Sequence, residues 1–207
     1  MNSIQKVAHQ IRILIRTLFS YRFYHYLLFS IYKGFQHYLF IAKAKQRFPN
    51  TTLHDDLLMP NPERVSIGER CIISPGCYFN CGFAPYWGII NMGSNITVGY
   101  NACLYAGGGK IIIGNHVDLG INCIITTQTR SMTQHPVQNR TNFEHHFGEV
   151  IVGEGTLVAS NVTLLAGTTL GKYCNVVAGA VVQGNYPDNT TLVGNPARPV
   201  PRIEIKS

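Results

Sequence analysis

Apolar residues recur at every sixth position between residues 152 and 182. Val152, Val158, Leu164, Leu170, Val176 and Val182 keep the interval without a slip, and small or polar residues fill the gaps, as in V-A-S-N-V-T and V-V-A-G-A-V. Neither a 3.6-residue helix nor a two-residue strand alternation produces a beat of six. Fixed-period self-similarity of this kind predicts a solenoid, with one apolar residue per short face turned inward and small residues at tight corners. Upstream, Ile67, Ile73 and Phe79 make three faces, Met92, Val98 and Leu104 three more, and Ile113, Leu119 and Ile125 a third set. Three faces close one triangular coil. The pattern therefore predicts a mainly β fold, a parallel β-helix of five coils, on the order of 24 Å tall at about 4.8 Å per coil.

The beat breaks in three places. About seven extra residues separate Phe79 from Met92, about three separate Leu104 from Ile113, and about twenty-one separate Ile125 from Val152. Long excursions from a regular scaffold usually carry function. The first excursion contains Tyr86 and the single tryptophan, Trp87, whose aromatic faces suit the C–H face of a sugar as well as they suit a lid over the coil edge. The longest, over residues 126–148, contains His135, His145 and His146. A loop histidine on a rigid scaffold titrates in the right range to take a proton from a hydroxyl. No G-x-S-x-G pattern or lone-cysteine motif accompanies it, which favours direct transfer to an acceptor over a covalent enzyme intermediate.

The ends of the chain differ from the repeats. Residues 1–54 hold eight Lys and Arg and no Asp or Glu, so the net charge of +7 belongs to that segment, while the remainder is near −1. Nucleic-acid binding by the repeats is therefore not expected. The segment is dense in Leu, Ile, Phe and Tyr, but its longest stretch free of Lys and Arg, Phe23 to Tyr32, is half of what a membrane span needs. Residues 1–50 read as one or two helices with a basic edge and an aromatic face. Such helices lie peripherally on an anionic membrane, with residues 1–48 making the contact, or pack on a protein surface. Pro60, Asn61 and Pro62 place the domain boundary within residues 50–64, with coils over 64–185. Four prolines after residue 185 predict an extended tail over 186–207. Six cysteines sit at or beside repeat positions and read as small buried hydrophobes in a reducing compartment, with no metal expected.

The repeats, the T-Q-H-P-V loop and the G-N-P-A-R ending together resemble the left-handed β-helix acyltransferases, the hexapeptide-repeat group that includes galactoside, maltose and polysaccharide O-acetyltransferases. The resemblance covers residues 64–202. It implies a homotrimer with each site between two subunits, acetyl-CoA as co-substrate and His135 as general base, and the reducing compartment read from the cysteines makes a cytoplasmic location the expectation. It also places Ser160 and Ala178 against the pantetheine arm, and Arg198 with Arg202 near the adenosine phosphate. Gln183 and Gly184 stand where the family often has Thr-Lys, which shifts phosphate binding to the tail arginines. His145 and His146 match no family position and read as solvated loop residues. Tyr86 and Trp87 are the candidate acceptor contacts. Together with the basic N-terminus, they suggest a glycan hydroxyl on a surface polysaccharide or its lipid-linked precursor, reached from the inner face of the cell membrane. A xenobiotic or serine acetyltransferase, an enzyme of the γ-carbonic-anhydrase type and a non-catalytic repeat scaffold are the alternative readings.

Overall fold

A residue that faces inward once per six can be buried only if each copy stacks on the next, and the computed structural model, which describes residues 3–18, 20–131 and 144–201, shows that stacking. On the first face Ile67, Met92, Ile113, Val152 and Leu170 pair in parallel register. On the second the column runs Ile73, Val98, Leu119, Val158 and Val176. On the third it runs Phe79, Leu104, Ile125, Leu164 and Val182. All fifteen expected positions are accounted for, and all but half-buried Ile67 are buried. Coil-to-coil backbone hydrogen bonds satisfy the ladder, and the columns supply the apolar burial.

The coils run further at both ends than the prolines suggest. Thr52–Leu53 adds a strand to the second face, with Leu53 paired to Ile73. One step of six later, Met59 is also buried, and Leu58 bridges to Tyr78 on the third face. The compact repeat unit accordingly begins at Ala44, upstream of the expected boundary. At the other end the expected extended tail continues the helix. Asn185–Tyr186 pairs on the first face and Thr191–Val193 on the second, with Leu192 buried. Arg198–Val200 then folds back antiparallel on that last strand. Pro187 sits at a corner between these strands, where no ladder N–H is required of it.

Two of the three corners are turned by left-handed residues other than glycine, stacked coil upon coil. Between the second and third faces these are Asn101, Asn122 and Asn161, with φ of 58°, 57° and 60°. Their amides form a ladder, Asn101 donating to Asn122 and Asn122 to Asn161, each at 3.3 Å. Asparagine tolerates this conformation better than other side chains do. Between the first and second faces Asn95, His116, Tyr173 and Asn189 play the same part.

The other compact unit, Met1–Lys43, is helical. Helix α1 spans Ser3–Leu18 and α2 spans Tyr21–Arg47, the latter reaching into the start of the repeat unit. At 100° per residue, Val7, Ile11, Leu14, Ile15 and Leu18 share one arc of α1, with His9 and Arg16 opposite and Arg12 flanking it. These apolar side chains are all exposed. Helix α2 is apolar around much of its girth, with Tyr26, Leu28, Ile31, Tyr32, Phe35 and Tyr38 exposed. Among the described residues, no helix is long and apolar enough to cross a membrane.

Candidate active site

The third corner, where the third face turns into the first, carries left-handed glycines instead, Gly82, Gly108, Gly167 and Gly184, and all three breaks in the beat fall there. The first break folds as a small hairpin, Gly82–Phe83 against Tyr86–Trp87. The longest sends out two antiparallel arms, Gln128–Ser131 and Glu144–Phe147. The intervening residues, 132–143, lie outside the described residues, and so does the expected base, His135. Arg202 is likewise outside them.

The arms bring together what the sequence keeps apart. Tyr86 lies 5.0 Å from Phe147 and 5.5 Å from His145 between ring centroids, and His145 stacks on Phe147 at 6.0 Å with only 7° between planes. Phe83 meets Tyr86 edge-on at 6.2 Å. The Gln128 side-chain amide donates to Nδ1 of His145. His145 is thus a half-buried member of an aromatic wall, not the solvated loop residue expected, whereas His146 is exposed. Strand alternation explains the difference, since residues 145 and 147 share one side of their arm and 146 takes the other.

Beside this wall is a cavity of about 320 Å³ bordered by Arg64, Trp87, Lys110, Phe147 and Glu149 over a glycine floor. The floor has no room for side chains. A Cβ on Gly88 would stand 1.5 Å from the Ala106 carbonyl oxygen, and one on Gly108 would stand 2.2 Å from the Phe147 ring. Floor amides are already committed, Gly108 N–H to Tyr86 and Gly148 N–H to Thr127, each at 2.9 Å. Recognition in this cavity therefore falls to side chains. The Arg64 guanidinium lies 4.8 Å over the Trp87 ring. Lys110 is bonded to Glu149 at 2.8 Å, and that bond holds the ammonium pKa above its ordinary value. Arg64, Phe147 and this ion pair were not foreseen from the sequence.

The other expected site residues sit at the opposite edge of the third face. Ser160 and Ala178 occupy successive coils at the asparagine corner, where the Gly179 N–H donates to the Ser160 carbonyl at 3.0 Å. The Ser160 hydroxyl has no hydrogen bond among the described residues, and Ala178 is exposed. The G-N-P-A turn closes over the same face. Val181 N–H donates to the Gly194 carbonyl at 3.1 Å, and Ala197 N–H donates to the Val181 carbonyl at 2.8 Å. Arg198 follows with its side chain exposed. One chain thus carries Ser160, Ala178 and Arg198 on one edge and Tyr86 and Trp87 on the other. The two groups do not meet within it.

Five of the six cysteines pack inside, and Cys103 is half-buried. Sγ of Cys71, Cys77, Cys123 and Cys174 each donates to a corner carbonyl of the next coil at 3.2–3.3 Å. Burial pushes Cys77 and Cys81 up to about 11, with Asp56 adding to the rise at Cys77 and Arg64 opposing it at Cys81. These thiols stay protonated and unreactive at neutral pH. Among the described residues there is no cluster of three metal-ligating groups.

A solenoid with a corner loop, a glycine-floored cavity and a closing turn defines a class of repeat-fold proteins, and comparison with known proteins shows which of them it resembles. No family model matches the sequence. The galactoside O-acetyltransferase of Lactococcus lactis is 32 % identical over 132 residues, covering 63 % of this chain and 59 % of that one. The galactoside O-acetyltransferase of Escherichia coli is 30 % identical over 143 residues, covering 67 % and 64 %. The chain thus spans about three fifths of the length of these relatives. Among solved structures, the N-acyltransferase AntD of Bacillus cereus in complex with dTDP and 3-hydroxybutyryl-CoA superposes with a TM-score of 0.62 at 18 % identity, over 73 % of this chain and 79 % of that one. The repeat domain has the left-handed parallel β-helix fold, and its sequence is similar to these galactoside O-acetyltransferases.

Proposed function

We propose that the protein is an acetyl-CoA-dependent O-acetyltransferase. Its acceptor is a sugar hydroxyl of a surface polysaccharide or of the lipid-linked precursor of one. The observation that carries this reading is the confinement of every break in the beat to one corner, where a hairpin carrying Tyr86 and Trp87 meets the arms of the H-P-V loop. The relatives named galactoside O-acetyltransferases favour a sugar hydroxyl and an acetyl donor. The AntD complex with an acyl-CoA favours a thioester. His135 takes the proton of the acceptor hydroxyl, the freed oxygen bonds to the thioester carbonyl carbon, and the C–S bond breaks. The proton passes to the departing thiolate, leaving an acetyl ester and free thiol. The Ser160 hydroxyl stands ready to stabilise the oxyanion, and Arg198 with Arg202 to hold the donor's phosphates.

The separation of the two groups of residues on opposite edges of the third face supports a homotrimer, in which the edge of one chain completes the site of its neighbour. Peripheral docking on the inner face of the cell membrane through residues 1–48 belongs to the same reading, supported by the basic, apolar-faced α1.

The deciding experiment is thiol release from acetyl-CoA with a panel of bacterial glycans. Glycan-dependent turnover that falls about 10²- to 10⁴-fold in His135→Ala is the expected outcome. Equal background release by wild type and variant, with no CoA binding in a titration, would return the protein to the class of silent repeat scaffolds.

A further inference from the structure

We infer that the cavity beside the third corner is the docking site for a sugar bearing an anionic group, a carboxylate or a phosphate. This deepens the acetyltransferase reading by naming the acceptor's chemistry. The cavity's walls are Trp87 and Phe147, and aromatic faces take the C–H face of a pyranose. Its floor amides are spent on the fold. What remains to recognise a polar group is the charged rim, and its three members are not equivalent. Lys110 and Glu149 neutralise each other at 2.8 Å. Among the described residues, the only carboxylate within 4.0 Å of Arg64 is Glu63, and it reaches Nε at that limit. The two terminal nitrogens of Arg64 are thus left as a planar fork, with the guanidinium carbon 4.8 Å from the centre of the Trp87 ring. Such a fork matches a carboxylate or a phosphate with two parallel hydrogen bonds. A sugar stacked on Trp87 carries its anion to Arg64 and its hydroxyls to the Lys110–Glu149 pair.

Trp87 is the chain's single tryptophan, so its fluorescence reports on this cavity alone and needs no acyl donor. Three probes separate the sources: a galacturonate oligomer for the carboxylate, galactose 1-phosphate for the phosphate, and a neutral galactose oligomer as reference. The full chain titrated with each is expected to show emission changes, with a Kd about tenfold or more lower for at least one anionic probe than for the neutral one. That preference is expected to disappear in Arg64→Gln and to survive in part in Arg64→Lys, which keeps the charge but loses the fork. Arg64 lies in the half-exposed turn Pro62–Arg64, and unchanged thermal unfolding of both variants checks that the fold is intact. Equal affinity for all probes, an unchanged preference in Arg64→Gln, or no emission change with any probe would overturn the inference. If thiol release with a neutral glycan succeeds beside that result, the acetyltransferase reading stands without it. If the anionic probes bind but no glycan is acetylated, the site stands and the reaction falls.

Discussion

Leu119 and Leu14 are the same residue in two regions with opposite fates. Leu119, in the second-face column between Val98 and Val158, is fully buried, whereas Leu14, on the apolar arc of α1, is 59 % exposed. Both follow a strict periodicity, six in the repeats and 3.6 in the helix. In the repeats, each apolar residue finds its partner one coil away in the same chain, so every on-beat residue but the half-buried Ile67 is buried. A helix makes an apolar stripe without supplying anything to cover it. Periodicity therefore predicts structure in both regions, but burial only in the one whose partners are built into the repeat. An uncovered stripe points outward, to a partner the chain does not itself provide.

The sharpest test of the contrast is truncation of each leucine. Leu119→Ala removes packing from a column that cannot collapse without moving the coils above and below. It is expected to cost about 2–5 kcal/mol, read from the midpoint of chemical denaturation. Leu14→Ala is expected to leave that midpoint within about 0.5 kcal/mol of wild type. Comparable losses at the two sites would mean that α1 is packed and the contrast is false.

A smaller effect is expected where the repeats turn. Asn122 sits at φ 57° in the middle of the amide ladder. Asn122→Ala keeps the corner but forces alanine into the left-handed region, at about 1–2 kcal/mol. Asn122→Gly removes that conformational strain and is expected to recover most of the loss. If glycine proves as costly as alanine, the amide ladder rather than the backbone angle governs the corner.

These corners also show how much was legible from sequence. The fifteen column positions could be read because a six-residue period survives insertion, and stacking enforces the register that the period implies. Leu53, Met59 and Leu192 could have been read the same way, since 53 to 59 and 186 to 192 are also steps of six. The prolines beside them masked the beat, although a proline at a corner withholds nothing from the ladder. Within the site, Tyr86 and Trp87 stood out as aromatics on an excursion. Arg64, Phe147 and the Lys110–Glu149 pair did not, because only the stacking of the coils brings such distant segments to one corner. The packing of His145 carried a weak signal in E-H-H-F, where alternate residues share a side.

The remaining effects concern α1 and bear on what covers its exposed stripe. Arg12 and Arg16 lie opposite Leu14, and residues 1–54 contain no acidic side chain to neutralise them. A second copy of the same helix would bring like charges together, whereas an anionic leaflet accepts the apolar arc and the cations at once. Each basic residue near such a surface contributes about 1 kcal/mol. The full chain is therefore expected to sediment with vesicles of mixed phosphatidylglycerol and phosphatidylcholine but not with phosphatidylcholine alone, and to be released as salt rises. Arg12→Gln with Arg16→Gln is expected to weaken vesicle binding about tenfold or more, since each lost charge is worth about a factor of five. Leu14→Ala should weaken it by a smaller factor, and neither change should move the denaturation midpoint. Binding that ignores both lipid charge and the arginines would assign the stripe to a protein partner instead. The basic character of the first 54 residues would then need another cause.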